Sequence, residues 1–269
     1  MSDDQRTNEK RDTAARFGRA AADYRESDTH RRGDDLTTLA AWCTDADRAL
    51  DVATGAGHTA GALLEEGVET VVAVDAAPEM VQTAVETYSV AGCVADAERL
   101  PFATDAFDAV TCRIAAHHFP DPAAFVTAVA RVLVPGGTFA FEDNVAPEDA
   151  RLADFIDRVE RLRDPGHVGL DSPAEWRRRF EDSGFVVENV ASVTRRLDFD
   201  AWCDRTSVSD ADRAELRRRF AEADEEIRDR FAVAFGPDGV ESFVVPKRLF
   251  RLRNSASARP AESEHTTER

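Results

Sequence analysis

Short apolar runs alternate with longer amphipathic stretches from Ala49 onward, the pattern of repeated βα units feeding a parallel sheet. The apolar runs predict strands over Ala49–Ala53, Thr70–Asp75, Gly92–Ala95, Phe107–Cys112 and Gly137–Asp143. Between them the spacing predicts helices near His58–Glu66, Pro78–Ser89 and Pro122–Leu133. Pro78 and Pro122 stand where a helix's first turn accepts proline, and Pro135-Gly136-Gly137 stops the third helix before the fifth strand. Upstream, helices are expected near Asp12–Tyr24 and Asp34–Cys43, after a polar segment over residues 1–10 that reads as disordered.

After Asn144 the rhythm changes. A charged helix over Pro147–Arg163 leads into an Asp164-Pro165-Gly166-His167 turn, and Ser172-Pro173-Ala174-Glu175 has the form of a capping box. A strand over Phe185–Val193, a nearly continuous helical stretch over 198–234 and a strand over Ser242–Leu252 follow. Residues 254–269 have the composition of a disordered tail. The expected organisation is one domain over 11–253, with leading helices at 11–45 and a helical lid at 195–235.

Composition narrows the function. The formal charge of −18 opposes nucleic acid and anionic membranes unless a basic patch is concentrated somewhere. The two Arg-Arg-Arg-Phe runs, at 177–180 and 217–220, carry acidic neighbours at helical spacing and read as solvated faces. Only Lys10 and Lys247 are lysines; with abundant Asp and Arg, that points to a halophilic, salt-screened cytoplasm. No run of apolar residues is long enough to span a bilayer, so no membrane insertion is expected. Cys43, Cys93, Cys112 and Cys203 are too scattered for a disulfide framework or a metal site.

The chemistry sits at the strand ends. Asp51-Val52-Ala53-Thr54-Gly55-Ala56-Gly57 joins the first strand to its helix, and glycine there lets backbone turn tightly beside a ligand. Gly55, Gly57 and Ala60 also satisfy the dinucleotide pattern, which leaves an NAD-linked oxidoreductase open. Asp51 argues against it. A carboxylate just before the turn repels a pyrophosphate but suits a cationic ligand such as S-adenosyl-L-methionine, which carries an ammonium and a sulfonium and no phosphate. Asp75, at the end of the second strand, is placed to accept both hydroxyls of a ribose. Asp96 and the amide of Ala97 offer an acceptor beside a donor, the pair an adenine edge requires.

Taken in order, D-x-A-T-G-A-G-H, V-D-A-A-P-E-M, D-A-E-R-L-P-F, F-D-A-V-T-C-R-x-A-x-H-H-F and R-V-L-V-P-G-G resemble the class I S-adenosylmethionine-dependent methyltransferases. The resemblance is strongest over Ala49–Asp143 and closest to the small-molecule group around the ubiquinone and menaquinone C-methyltransferases. Phe17-Gly18-x3-Ala22-x-Tyr24 extends it upstream. It implies a doubly wound, mostly parallel α/β sheet of seven strands in the order 3-2-1-4-5-7-6, the last antiparallel. By the same resemblance Asp51, Thr54, Gly55 and Gly57 would hold the methionine part, Asp75 and Ala76 the ribose, and Asp96 and Ala97 the adenine. Met80 would pack on the adenine face, with Arg113 on the methionine side. The expected reaction is transfer of a methyl group to a small-molecule acceptor; a non-catalytic S-adenosylmethionine-binding protein is the other alternative.

Candidates for a general base are His117, His118, Glu142, Asp143 and His167. Adjacent residues on an extended chain point to opposite sides, so one of the two neighbouring histidines should face the ligand. His118 is the expected one, because the Phe119-Pro120 turn should hold it at the cleft mouth. His167, in the Asp-Pro-Gly-His turn, is the second choice and a candidate substrate contact. Tyr24 and His30, on the leading helices, are candidates to close over the cofactor; His58 sits at a helix start and His265 in the tail.

Overall fold

The computed structural model describes residues 3–19, 21, 25, 31 and 33–255. Tyr24, His30, His265 and the tail beyond Ser255 lie outside them.

Five parallel strands make the first part of the sheet: β1 (Arg48–Val52), β2 (Thr70–Asp75), β3 (Ala91–Val94), β4 (Phe107–Arg113) and β5 (Leu133–Asn144). β6 (Phe185–Asp198) and β8 (Gly239–Asn254) complete it in the order β3-β2-β1-β4-β5-β8-β6. β8 runs antiparallel to both its neighbours, and the short β7 (Ala234–Gly236) pairs onto it, making eight strands in all. The expected topology holds, with β7 as the addition. β5 begins earlier than expected because Pro135-Gly136-Gly137 forms a bulge within the strand: Phe107 pairs with Leu133 but Ala109 with Thr138. A Cβ on Gly137 would stand 2.9 Å from the Asp108 carbonyl oxygen, so the bulge can close only with glycine there.

The central strands β1, β4 and β5 are buried on both faces, and the pleat sorts their residues by size. One face carries Leu50, Val52, Phe139 and Phe141 against α5 (Pro122–Val132) and α7 (Pro173–Asp182). The other carries Ala49, Ala73, Ala109 and Ala140 against α2 (Asp34–Ala41), α3 (His58–Glu65) and α4 (Pro78–Thr87). Small residues let those helices lie close to the sheet. α7 starts with the expected capping box: Ser172 Oγ accepts from Glu175 N–H, and Glu175 accepts from Ser172 N–H at 2.7 Å.

Three expectations are corrected. Residues 1–10 are not a separate disordered segment, since helix α1 spans Asp3–Arg19. Its first turns are polar; further along, Ala14 and Phe17 pack against Ala77 and Met80, and ion pairs of Lys10 with Asp96 and Glu98 and of Arg16 with Asp164 fasten it. The tail does not begin at 254: Asn254 is buried and donates to the carbonyls of Ala130 and Leu133. The 198–234 stretch is three short helices, α8 (Phe199–Asp204), α9 (Asp210–Glu222) and α10 (Glu225–Arg230). Ser209 and Asp224 cap new helices where the chain turns, which breaks the continuous pattern. These helices pack with α6 (Ala150–Arg163) around Ile156, Phe199, Trp202, Phe220 and Phe243, a second small core over the sheet's carboxyl edge. Among the described residues no helix is long and apolar enough to cross a membrane.

Candidate functional site

A cavity of about 650 Å³ opens at the carboxyl ends of β1, β2, β3 and β4, under α1 and α8. That is the position open α/β sheets reserve for ligands. Backbone strain marks its border: Ala53 (φ 53°) and Ile114 (φ 55°), the residues that follow β1 and β4, are both left-handed without being glycine.

On one side the wall comes from the first three strand ends. Thr54, Gly55, Asp75, Ala76, Asp96 and Ala97 all line it, as expected. Gly55 has φ 53° and nothing within 4 Å of where a Cβ would be, so the loop presents bare backbone to the cavity. Asp75 Oδ2 accepts from Gly55 N–H at 3.0 Å, and Oδ1 accepts from Ala77 N–H at 2.9 Å. These bonds fix the carboxylate, while burial pushes its pKa up. Met80 is fully buried beneath the same wall and touches the cavity, packed with Ala77 and Phe17. Asp96 accepts from Lys10 at 2.7 Å and from Glu98 N–H at 3.0 Å, so α1 closes this end through a charge pair.

Two residues expected to touch the ligand do not line the cavity. Asp51 does not line the cavity. Its oxygens accept from the hydroxyls of Thr54 (2.6 Å) and Thr111 (2.7 Å), Thr111 being its partner in the β1–β4 register. Burial pushes its pKa up to about 6, and the two hydroxyls engage both of its oxygens, so it acts by holding Thr54 in place. Gly57 likewise faces the protein. A Cβ there would meet Ala84 at 2.7 Å, so it serves the close approach of α3 to α4.

Arg113, at the end of β4, reaches the cavity and bonds Asp35 at 3.1 Å and the Thr59 hydroxyl at 3.2 Å. Lys247 sits 3.2 Å from Glu142 and 3.7 Å from Asp35, completing a buried network of two acids and two bases. Burial pushes Glu142 up to about 7 despite Lys247 and Arg113. Burial also opposes ionisation of Asp35, but Lys247 and Arg113 hold its pKa below the ordinary value. The sequence reading missed Lys247: its neighbours are its partners only through the β5–β8 register, which sets it opposite Asn144.

The histidines correct the sequence reading most. His117 and His118 both line the cavity, with ring centroids 4.2 Å apart. They lie in a 3₁₀ turn, Ala116–His118, where successive side chains fan out instead of alternating as on a strand. His118 pairs its Nδ1 with the Gly166 carbonyl at 2.9 Å and meets Phe17 edge-on. Burial and the neighbouring His117 hold its pKa well below the ordinary value. His117 Nδ1 instead stands 2.6 Å from Asp143 Oδ1. Burial works against its charge, but the Asp143 carboxylate outweighs that and raises its pKa. His167 does not line the cavity: its Nε2 pairs with Asp157 at 2.9 Å and its ring packs 5.8 Å from that of His117. The Asp-Pro-Gly-His turn therefore braces the histidine pair from behind. Trp202 of α8, Arg205 just after it, Leu197 of β6 and Val245 of β8 complete the far wall.

A methyltransferase-domain family model matches residues 50–141, which run from β1 to β5. The chain is 35% identical over 231 residues to the uncharacterized methyltransferase YcgJ of Bacillus subtilis, covering 83% of this chain and 91% of the relative. The solved structure of YcgJ superposes with a TM-score of 0.79 at 32% identity, over 83% of this chain and 99% of that one. A ubiquinone biosynthesis O-methyltransferase of Xanthomonas axonopodis is 30% identical over 174 residues, 60% of this chain and 70% of the relative. These likenesses agree with the fold, the strand-end motifs and the resemblance to quinone-modifying enzymes. The chain belongs to the methyltransferase family.

Proposed function

We propose that the protein transfers the methyl group of S-adenosyl-L-methionine to a small-molecule acceptor bound in the same cavity. One observation carries this reading: the cavity is continuous from the carboxylates of Asp75 and Asp96 to the histidine pair and the lid. The residues fit the donor. Asp75 would accept the ribose hydroxyls, Asp96 and Ala97 would meet the adenine edge above Met80, and Arg113 would pair with the methionine carboxylate. When bound, the donor supplies a methyl group on a positively charged sulfur that is already a good leaving group.

The chain's own task is then alignment and exclusion of water. The bare loop at Gly55 would seat the donor's tail. α1 closes the adenine end through Lys10, and the lid walls the acceptor end with Trp202 and Leu197. The volume is within the ~300–1,000 Å³ usual for small-molecule sites. The O-methyltransferase relative favours oxygen as the atom methylated. The acidic surface favours a salt-rich, cytoplasmic setting.

Asp75→Ala should weaken S-adenosylhomocysteine binding by about 2–4 kcal/mol, the scale of two hydrogen bonds to a charged group. Because Asp75 also holds Gly55 and Ala77, Asp75→Asn should keep much of the loop geometry and lose less. Calorimetry on both variants checks this, and an unchanged dissociation constant in Asp75→Ala would remove the ribose assignment.

A further inference from the structure

Two imidazoles stand side by side in the cavity wall, and their partners differ in kind. His118 donates to the Gly166 carbonyl, a neutral partner, and no carboxylate stands at hydrogen-bond distance from its ring among the described residues. His117 faces a carboxylate. Asp143 Oδ1 lies 2.6 Å from His117 Nδ1, and Oδ2 accepts from the backbone N–H of the same residue at 2.8 Å. Asn144 N–H also donates to Oδ1 at 2.8 Å. The carboxylate is thus locked by two backbone amides before it meets the ring, which places the Nδ1 proton toward Asp143. His117 Nε2 makes no hydrogen bond among the described residues, and His117 lines the cavity. The charged groups around the ring are Asp143 on β5, Glu160 and Arg163 on α6, and the neighbouring His118 and His167. Glu160 and Arg163 pair with each other at 3.2 Å, which leaves Asp143 as the carboxylate that acts on the ring at contact distance.

We propose that His117 is the catalytic base of this cavity, positioned by Asp143, and that the acceptor is a hydroxyl compound with an apolar or aromatic body. The inference rests on the methyl-transfer reading above. The body follows from the far wall, where Leu197, Trp202 and Val245 supply apolar surface beside the charged side chains Arg195 and Arg205. The base calls for an acceptor with a proton to lose, and the O-methyltransferase relative favours a hydroxyl among such acceptors. In the step, the acceptor oxygen forms a bond to the methyl carbon while the carbon–sulfur bond breaks. Sulfur keeps that electron pair and becomes a neutral thioether. The hydroxyl proton passes to His117 Nε2 and from there to water, so hydroxyl compound and sulfonium give methyl ether, thioether and one proton. Asp143 stabilises the imidazolium that forms in between.

The test uses the full chain with 1-naphthol, catechol and phenol as probes, labelled methyl donor, and the variants His117→Gln, Asp143→Asn and His118→Gln. Calorimetry with S-adenosylhomocysteine controls for folding and donor binding. At least one hydroxyl probe should be methylated. His117→Gln should lower kcat by ~10²-fold or more, the range of general-base catalysis, with donor affinity unchanged. His118→Gln should lower it far less. The wild-type rate should rise with pH as His117 loses its proton, and Asp143→Asn should slow the reaction and move that inflection to lower pH. NMR titration of the histidine rings gives a readout apart from activity: the His117 signal should titrate above an ordinary histidine and fall back in Asp143→Asn. Full activity in His117→Gln overturns the proposal, as does transfer to none of the hydroxyl probes, or a His117 titration indifferent to Asp143. Failure of S-adenosylhomocysteine to bind the wild type removes the methyl-transfer reading and the base with it. Binding accompanied by a fully active His117→Gln removes the base alone.

Discussion

The two sides of the cavity, proposed for donor and acceptor, are built by opposite means. On the proposed donor side most of the lining lies at a strand end or in the loop just after it, Thr54 and Gly55 after β1, Asp75 and Ala76 at β2, Asp96 and Ala97 after β3, with Met80 of α4 and Lys10 of α1 added. Neighbours in sequence are neighbours in space, and backbone amides fix the side chains. On the acceptor side the wall draws on α1, the ends of β4 and β5, α6, β6, the lid and β8. Here the side chains fix one another, through an aromatic core and ion pairs that span most of the chain. The donor site should therefore survive damage that dismantles the acceptor site.

Trp202→Ala puts that asymmetry under the heaviest load. Trp202 is fully buried, packs edge-on against Phe243 at 4.9 Å and lies under the Arg163 guanidinium at 5.1 Å. Its removal should cost about 3–5 kcal/mol, the usual range for an aromatic-to-alanine change in a core. Most of that loss should fall on the lid and α6, seen as faster amide exchange there. S-adenosylhomocysteine affinity should change little. An equal loss of exchange protection in β1–β4 would show that the two sides fold as one unit.

The same asymmetry decides what could be read from the sequence. The parallel strands, the α3, α4 and α5 starts and the strand-end residues that line the cavity were legible because proline, glycine and strand-end carboxylates act within a few residues. Asp51 was misassigned because its partner Thr111 belongs to β4, and only the register brings the two together. α1 was cut short because its first turns carry no apolar residue at helical spacing, and the Lys10 partners Asp96 and Glu98 lie far along the chain. The expectation that only one of His117 and His118 faces the cavity did not foresee the 3₁₀ turn, which has no signature among Ala115, Ala116 and the two histidines. Asp143 was on view as a candidate, but nothing local tied it to His117.

A smaller effect separates the junction of the two sides from either one. Glu142, Asp35, Arg113 and Lys247 meet where β4, β5, β8 and α2 converge. The folded-state pKa of Glu142, about 7, lies above its ordinary value of 4.5, so the folded protein binds the extra proton between those pH values. The associated stability is fully present below about pH 4.5 and is lost as pH rises through about 7. Thermal unfolding should show a declining contribution across that window, on the order of 1–3 kcal/mol, and Glu142→Gln should flatten it. A slope of the opposite sign, or one that Glu142→Gln leaves intact, would place the titrating group elsewhere.

The smallest expected effect concerns the lid's surface. Arg151 on α6 pairs with Asp224 and Glu226 at the start of α10, and all three side chains are about half exposed. Such pairs contribute ~0.2–1 kcal/mol in dilute buffer and are screened by salt. Arg151→Ala should therefore lower the urea midpoint slightly at low ionic strength and not at all in 1 M KCl, where the Debye length is ~3 Å. The whole chain should respond in the other direction. Its net charge of −18 repels itself, and screening relieves that, so the wild-type midpoint should rise over the same salt range. Urea, being uncharged, lets both trends be measured without adding ions. A penalty for Arg151→Ala that persists in 1 M salt would mean that its side chain acts by packing. A wild-type midpoint indifferent to salt would mean that the acidic surface is already neutralised by pairs like these, and that net charge misstates the field the fold experiences.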